Sequence, residues 1–155
     1  MTREELAAEV FGAFAADAAL PRMSLRGGDA LDSYREPPPF DASQDGVSDA
    51  YLEQHFWGVA HLDPDSWRHY LPHLIAFALR HVGEGSNAVD ALLLSLRPPD
   101  REPPRLGSLS TRQSAVVAQF LEDLAFASDS AHQELACQVL EEAWLPGALY
   151  RPPPV

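Results

Sequence analysis

Hydrophobic residues recur at three- and four-residue intervals along most of the chain, a spacing that predicts amphipathic helices. The first such stretch follows Thr2 and Glu5, a capping-box pair in which each side chain bonds the other residue's backbone N–H. Apolar residues then repeat every four positions, at Leu6, Val10 and Phe14. We therefore expect a first helix over about residues 3–18, with its apolar side turned towards the core.

A second strong helix start lies in the middle of the chain. Asp63 can accept a first-turn N–H, and Pro64 occupies a position whose N–H would be unpaired in any case. Pro72 should interrupt this helix with a kink or short break near Leu71, because proline removes one backbone hydrogen bond and crowds the preceding turn. The apolar pattern then continues to about His81.

Shorter and later helices complete the pattern. Asp49 can cap residues 50–57, and Asn87 can cap a helix that runs to Leu94. Ser110 with Gln113 and Ser130 with Gln133 repeat the capping-box spacing, and the last helix should end at Leu145-Pro146-Gly147. The helix after Ser110 carries the broadest apolar stripe, at Val116, Val117, Phe120, Leu121 and Leu124. Apolar and polar residues alternate nowhere over the length of a strand, so we expect an all-α protein, an irregular bundle of about five to six helices.

The length and the proline-rich segments predict how the chain is divided. With 155 residues and 46% hydrophobic residues, the chain should form a single helical domain over residues 1–150, followed by a proline-rich tail at 151–155. Pro21 and Gly27-Gly28 should end the first helix. A long acidic, proline-containing loop over residues 22–49 should follow, and loops of this length are often either functional or mobile.

Three segments between Trp57 and Leu124 resemble one family in their order along the chain. They are Trp67-Arg68-His69-Tyr70-Leu71-Pro72, then Leu92-Leu93-Leu94-Ser95-Leu96-Arg97-Pro98-Pro99, then the capped helix that contains Gln113. This order resembles a family of small bacterial proteins of unknown function, with an aromatic-Tyr-Leu-Pro helix, a Ser-Leu-x-Pro segment and a closing Gln-containing helix. The resemblance implies a bacterial cytoplasmic protein, and it implies no catalytic or ligand-binding residue.

The charge narrows the classes of partner. The formal net charge is −12, and all 11 basic residues are arginine. The absence of lysine excludes Schiff-base nucleophiles and phosphate-loop lysines, and the negative charge disfavours nucleic-acid backbones. The acidic start, Met1-Thr2-Arg3-Glu4-Glu5, differs from a signal peptide, and no apolar run reaches the length of a membrane span. We expect a cytoplasmic protein that binds neither nucleic acid nor membrane.

The sequence offers few residues for chemistry. His69 and His73 stand four apart on a predicted helix, a spacing at which two imidazoles can share a metal, but no third ligand is apparent. Asp41 and Asp45 imitate the start of a calcium loop, yet Leu52 stands where the closing glutamate should be. No nucleophile motif is present, so we predict no catalytic residue, no cofactor and no metal site, with His69 and His73 as weak candidates for a metal.

These observations favour a non-enzymatic acidic module that binds another, basic protein, in the manner of an immunity or antitoxin-type inhibitor of a basic effector. Two alternatives are a metal-dependent protein or enzyme that uses His69 and His73, and an accessory or regulatory subunit. Carboxylates would steer the partner, and exposed aromatic side chains would then be buried. The residues predicted to bind it are Asp29, Asp32, Asp41, Asp45, Asp49, Glu53 and Trp57.

Overall fold

A computed structural model describes residues 1–146 and residue 148. Within these residues the chain is all-helical with no β-strand, which confirms the predicted fold class. Seven α-helices are present there: α1 Arg3–Ala13, α2 Leu25–Asp32, α3 Asp49–Gln54, α4 Pro64–Arg80, α5 Asn87–Ser95, α6 Thr111–Phe126 and α7 Gln133–Val139. Shorter pieces are the 3₁₀ helices Ala15–Asp17, Phe56–His61 and Leu106–Ser108, and a π-helical turn, Leu140–Trp144, that extends α7.

Several helix starts follow the predicted capping chemistry. Thr2 and Ser110 each form a complete capping box with the residue three positions on. Asp63 accepts the backbone N–H of Ser66, with Pro64 in the first turn of α4. The caps of α3 and α5 lie one residue earlier than predicted, at Ser48 and Ser86, because the serine hydroxyl accepts the first-turn N–H in each case. Local capping chemistry therefore determines most helix starts in this protein.

The last helix begins differently from the prediction. Ser130 and Gln133 form no capping box: the Ser130 hydroxyl accepts from the backbone N–H of His132, and the Gln133 amide donates to the Ala127 carbonyl. Ala131 is held in a turn because its N–H donates to the carbonyl of Val82, 2.9 Å away. This contact with a distant segment delays the helix to Gln133. The helical stretch ends at Trp144 with Leu145 as its C-cap, in agreement with the predicted end at Leu145-Pro146-Gly147 as far as Pro146. Gly147 and the tail 151–155 lie outside the described residues.

The short break predicted for α4 near Leu71 is wrong, whereas the alternative, a kink, stays a prediction. The helix runs continuously from Pro64 to Arg80 although proline inside a helix costs about 3 kcal/mol. Pro72 is itself buried, and the residues around it form the centre of the core. Tight packing on several sides of the helix offsets the missing hydrogen bond. The completely buried residues of α4 include Trp67, Tyr70, Leu71 and Ile75.

The predicted loop over residues 22–49 contains a helix, α2. Its start at Ser24 is capped, because the Ser24 hydroxyl accepts the N–H of Gly27 at 2.9 Å. Gly27 and Gly28, which the sequence analysis treated as stop signals, lie inside this helix. A Cβ on Gly28 would stand 2.5 Å from the carbonyl oxygen of Gly58, so α2 and the Phe56–His61 3₁₀ helix touch through their backbones. The glycines therefore serve packing and not chain reversal.

One hydrophobic core joins the helices. α4 packs against α1 and α5, α1 also packs against α6, and α6 packs against α7. The apolar stripe of α6 is buried as predicted, with Val117, Phe120, Leu121 and Leu124 fully covered. Every helix in the described part of the chain is too short or too polar to traverse a lipid bilayer. The division into a domain at 1–150 and a tail stays a prediction.

Candidate functional site

The acidic residues predicted to bind a partner are largely engaged within the protein. Asp45 is 2% exposed, and its Oδ2 lies 2.9 Å from Nη2 of Arg26. The Tyr51 hydroxyl donates to Asp45 Oδ1 at 2.8 Å, and the N–H of Asp41 donates to Oδ2. Burial raises the pKa of Asp45, but Arg26, Asp41 and Tyr51 outweigh it and bring the pKa to about 2. Asp45 is a buried organising residue and offers no surface to a partner.

The remaining carboxylates of this set also have internal contacts. Asp41 accepts hydrogen bonds from the backbone N–H and hydroxyl of Ser43 and from the side-chain amide of Gln44, and these bonds hold its pKa below the ordinary value.

Asp49 Oδ1 lies 2.6 Å from Arg80 Nη2, and its Oδ2 lies 2.9 Å from His81 Nε2. Glu53 accepts a hydrogen bond from the Ser86 hydroxyl. Asp49 and Glu53 line a groove of about 470 Å³ beside α3. The charge of Asp49 is partly neutralised by Arg80, whereas Glu53 keeps its charge, so this part of the surface attracts a cation less than the sequence indicates.

Asp29 and Asp32 connect α2 to the Phe56–His61 3₁₀ helix. Asp29 Oδ2 lies 2.8 Å from Nδ1 of His55, just before the 3₁₀ helix, and Asp32 Oδ1 lies 2.9 Å from Nε2 of His61 at its end. These contacts flank the backbone contact between Gly28 and Gly58. The two elements thus form one continuous surface region.

Two exposed aromatic side chains lie on this region. Trp57 is 56% exposed and stacks on Phe56 with ring centroids 4.6 Å apart. Tyr34, two residues beyond α2, is 100% exposed and has a positive φ of 59°. The N–H groups of Tyr34 and Arg35 bond the carbonyls of Leu31 and Ala30, which closes the helix end around that backbone conformation. We call Asp32, Tyr34, Trp57 and His61 the aromatic surface.

Of the aromatic surface, Trp57 and Asp32 were predicted from the sequence as partner-binding residues, whereas Tyr34 and His61 were not. Tyr34 stands in a segment that was expected to be a loop, and glycine or asparagine would be the usual residue at its backbone conformation. A sequence signal for it would have required recognising α2 first.

The two histidines considered for metal binding have other contacts. His69 Nδ1 lies 3.0 Å from the backbone carbonyl of Asp17, and the rings of His69 and His73 are 5.8 Å apart at their centroids. His73 packs edge-to-face against Phe11, and burial, followed by the charges of His69 and Arg80, lowers its pKa to about 4. Among residues 1–146 and 148, no three His, Cys, Asp or Glu side chains converge as metal ligands. The geometry gives no support to the metal alternative.

A cavity of about 280 Å³ lies on the segment after α5, where three arginines converge. Its lining includes Ser95, Arg97, Arg101 and Arg105, together with the carboxylate residue Asp100. Arg97 is paired with Glu142, with Nη2 and Oε1 2.7 Å apart. Arg101 is exposed and donates to the backbone carbonyl of Ala60. We call this the arginine cavity.

Asp100 shapes the segment that carries the arginine cavity. Its carboxylate accepts the backbone N–H groups of Arg101, Arg105, Leu106 and Gly107, all within 2.9 Å. Burial raises the pKa of Asp100, but these four donors outweigh it and leave the pKa below the ordinary value. This arrangement could not be predicted from the sequence, because a single carboxylate binds backbone N–H groups that follow no regular spacing.

The comparison with protein families decides the identity of the chain. A family model, described as a family of unknown function (DUF6714), matches residues 2–148. The chain belongs to that family. The predicted resemblance to an uncharacterised family is therefore confirmed. No curated protein and no solved structure matches the chain.

Two of the segments that carried the resemblance meet in this DUF6714 protein. Trp67 of the first segment donates its Nε1–H to the hydroxyl of Ser95 in the second, 3.1 Å away. The same Trp67 ring lies against the guanidinium of Arg105, with Cζ 5.0 Å from the ring centroid. The second of these segments lines the arginine cavity, and Trp67 of the first contacts Arg105 without lining the cavity itself.

Proposed function

We propose that this protein is a non-enzymatic protein-binding module that recognises a basic protein through the aromatic surface. The observation that carries the proposal is the exposure of Tyr34, two residues beyond α2, and of Trp57 in the 3₁₀ helix that is in backbone contact with α2. Tyrosine and tryptophan are enriched among the residues that dominate binding free energy, because they bury a large area with few rotatable bonds. Exposed in the free protein, they are available to do so.

The charge of the protein supports a basic partner. The net charge of −12 creates a negative field around the whole molecule, although individual carboxylates such as Asp32 are paired with histidine. Such a field accelerates the approach of a positively charged protein and is screened by salt. The finer proposal, an immunity or antitoxin-type inhibitor of a basic effector, rests on this charge and on the absence of a nucleophile motif.

The test is a capture experiment with the full-length protein immobilised at low salt. Lysate of the source cells is passed over the wild type, Tyr34→Ala, Trp57→Ala and Phe126→Ala, and the bound proteins are identified by mass spectrometry. Phe126 is a matched control because it is 69% exposed but lies at the end of α6. We expect one stoichiometric basic protein on the wild type and on Phe126→Ala, and its loss from the other two variants.

Salt provides the second condition of the same experiment. Raising the ionic strength should weaken capture, because the steering field is screened over a shorter distance. Equal capture by all four proteins, an acidic partner, or no stoichiometric partner at low salt would contradict the proposal. Capture that does not change with salt would contradict the electrostatic part and favour an accessory subunit whose acidity has no specific target.

A further inference from the structure

Arg105 is a buried cation whose guanidinium is incompletely bonded. The residue is 3% exposed, and the Trp67 ring covers one face of its guanidinium. Nη1 has a long contact of 3.4 Å with the carbonyl oxygen of Val59. Nη2 is buried and has no hydrogen-bond partner among the described residues. The Nη2 edge of the planar guanidinium is therefore left without a hydrogen-bond acceptor.

No carboxylate in the described part of the chain pairs with this guanidinium within 4 Å. Asp100 is near in sequence, but its oxygens already accept four backbone N–H groups. Burial, followed by the charge of Arg101, lowers the pKa of Arg105 to about 10, although the negative charge of Asp100 opposes this shift. A buried cation whose neighbouring carboxylate is already bonded to other groups is unfavourable, and a ligand or a partner group that supplies a further negative charge would stabilise it.

The surroundings of Arg105 match a small anion better than a neutral ligand. Arg105 lines the arginine cavity, and the exposed Arg101 lines it as well. The third arginine, Arg97, is already neutralised by Glu142. The hydroxyl of Ser95 accepts from Trp67 and donates to the carbonyl of Leu92, so its proton is not free for a ligand. Recognition in the cavity thus depends on guanidinium groups, which bind planar or tetrahedral oxyanions in a forked geometry.

We propose that the arginine cavity is a binding site for a small oxyanion, a carboxylate or phosphate group, anchored by the buried Arg105 and contacted at its exposed side by Arg101. The volume of about 280 Å³ lies at the lower end of ligand sites and fits a small molecule or a terminal group. The site shares no residue with the aromatic surface, although Arg101 and Arg105 contact carbonyls of the 3₁₀ helix that carries Trp57. The inference does not depend on the proposed protein-binding function.

The experiment is calorimetric titration of the full-length protein with inorganic phosphate and, separately, with acetate, in chloride buffers of matched ionic strength. We expect one site for at least one anion, and the tighter of the two identifies the group recognised. Arg105→Met should weaken that binding by about tenfold or more, because it removes a charge-assisted pair in a buried setting. Arg22→Met is the matched control, because Arg22 is exposed and lies outside the cavity lining. This variant should bind the anion as tightly as the wild type does.

Urea unfolding separates a binding role of Arg105 from a structural one. In anion-free buffer Arg105→Met should be as stable as the wild type or more so, because a buried unpaired charge is replaced by an apolar side chain. If it fails to fold, Arg101→Gln, at an exposed residue of the same cavity, should still weaken anion binding several-fold. Absence of binding of both anions to the wild type, or equal binding by the wild type and the folded variants, would overturn the proposal.

Discussion

Tyr34 is expected to lower the stability of the protein, so that Tyr34→Gly should be more stable than the wild type. Its φ of 59° places it in the left-handed region. There the Cβ crowds the following carbonyl oxygen at a cost of about 1–2 kcal/mol. Because the side chain is 100% exposed, its removal loses no packing. Glycine avoids the crowding but adds about 0.5–1 kcal/mol of backbone entropy to the unfolded state.

The difference between these two effects gives the expected magnitude. Tyr34→Gly should raise the free energy of unfolding by about 0.5–1 kcal/mol. Tyr34→Ala keeps the Cβ and should stay within about 0.5 kcal/mol of the wild type. The hydrogen bonds that close the end of α2, from the N–H groups of Tyr34 and Arg35, involve backbone atoms only and remain possible in both variants.

Urea unfolding at fixed pH measures the effect. The comparison requires that the slope of the unfolding free energy against urea concentration is the same for all variants. Ser33→Gly is the control, since Ser33 is an exposed neighbour with an ordinary φ of −94° and should lose stability on replacement by glycine. A Tyr34→Gly variant less stable than Tyr34→Ala would refute the reasoning. A more stable Tyr34→Gly that no longer captures the partner would show that the tyrosine serves binding at a cost in stability.

Two further predictions concern titratable residues. Asp45→Asn should destabilise the protein by about 3 kcal/mol at pH 7, because it leaves the charge of Arg26 without its buried partner; unchanged urea unfolding would contradict a structural role. For His73, the folded pKa of about 4 lies below the ordinary 6.5, so the unfolded chain binds the proton first and stability falls as the pH drops from 6.5 to about 4. The difference between the two pKa values corresponds to at most about 3 kcal/mol of stability, which partial exposure of the ring reduces to about 1–2 kcal/mol. The His73→Phe variant should lack this part of the pH dependence when urea unfolding is measured between pH 7 and pH 4.5.

The parts of the fold that were predictable from the sequence depend on near neighbours. The capping boxes at Thr2 and Ser110 join residues three positions apart, and the stripe of α6 repeats within one helix. The helix α2 was missed because its two glycines are poor helix formers, and their value appears only through contact with Gly58. Likewise, the cost of Pro72 is local, but the burial that offsets it involves several helices.

In the candidate sites, too, the features that depend on contacts between distant segments could not be predicted from the sequence. Trp57, predicted to bind a partner, is exposed, whereas Asp45, predicted for the same role, is buried against Arg26. The sequence around an acidic residue does not show whether an arginine from a distant part of the chain will pair with it. The incomplete bonding of Arg105 was equally invisible, because it depends on which carboxylates the fold brings near and on the Trp67 ring from another helix.

The contact between Gly28 and Gly58 determines how a partner would meet the aromatic surface. A Cβ on Gly58 would stand 2.2 Å from the carbonyl oxygen of Leu25, so the two elements are already as close as backbones can be. No side chain between them can change rotamer to let one slide past the other. The surface is therefore preorganised, and association should order only a few side chains. A partner must adapt its own shape to this protein, and affinity differences between partners should appear mainly in their dissociation rates.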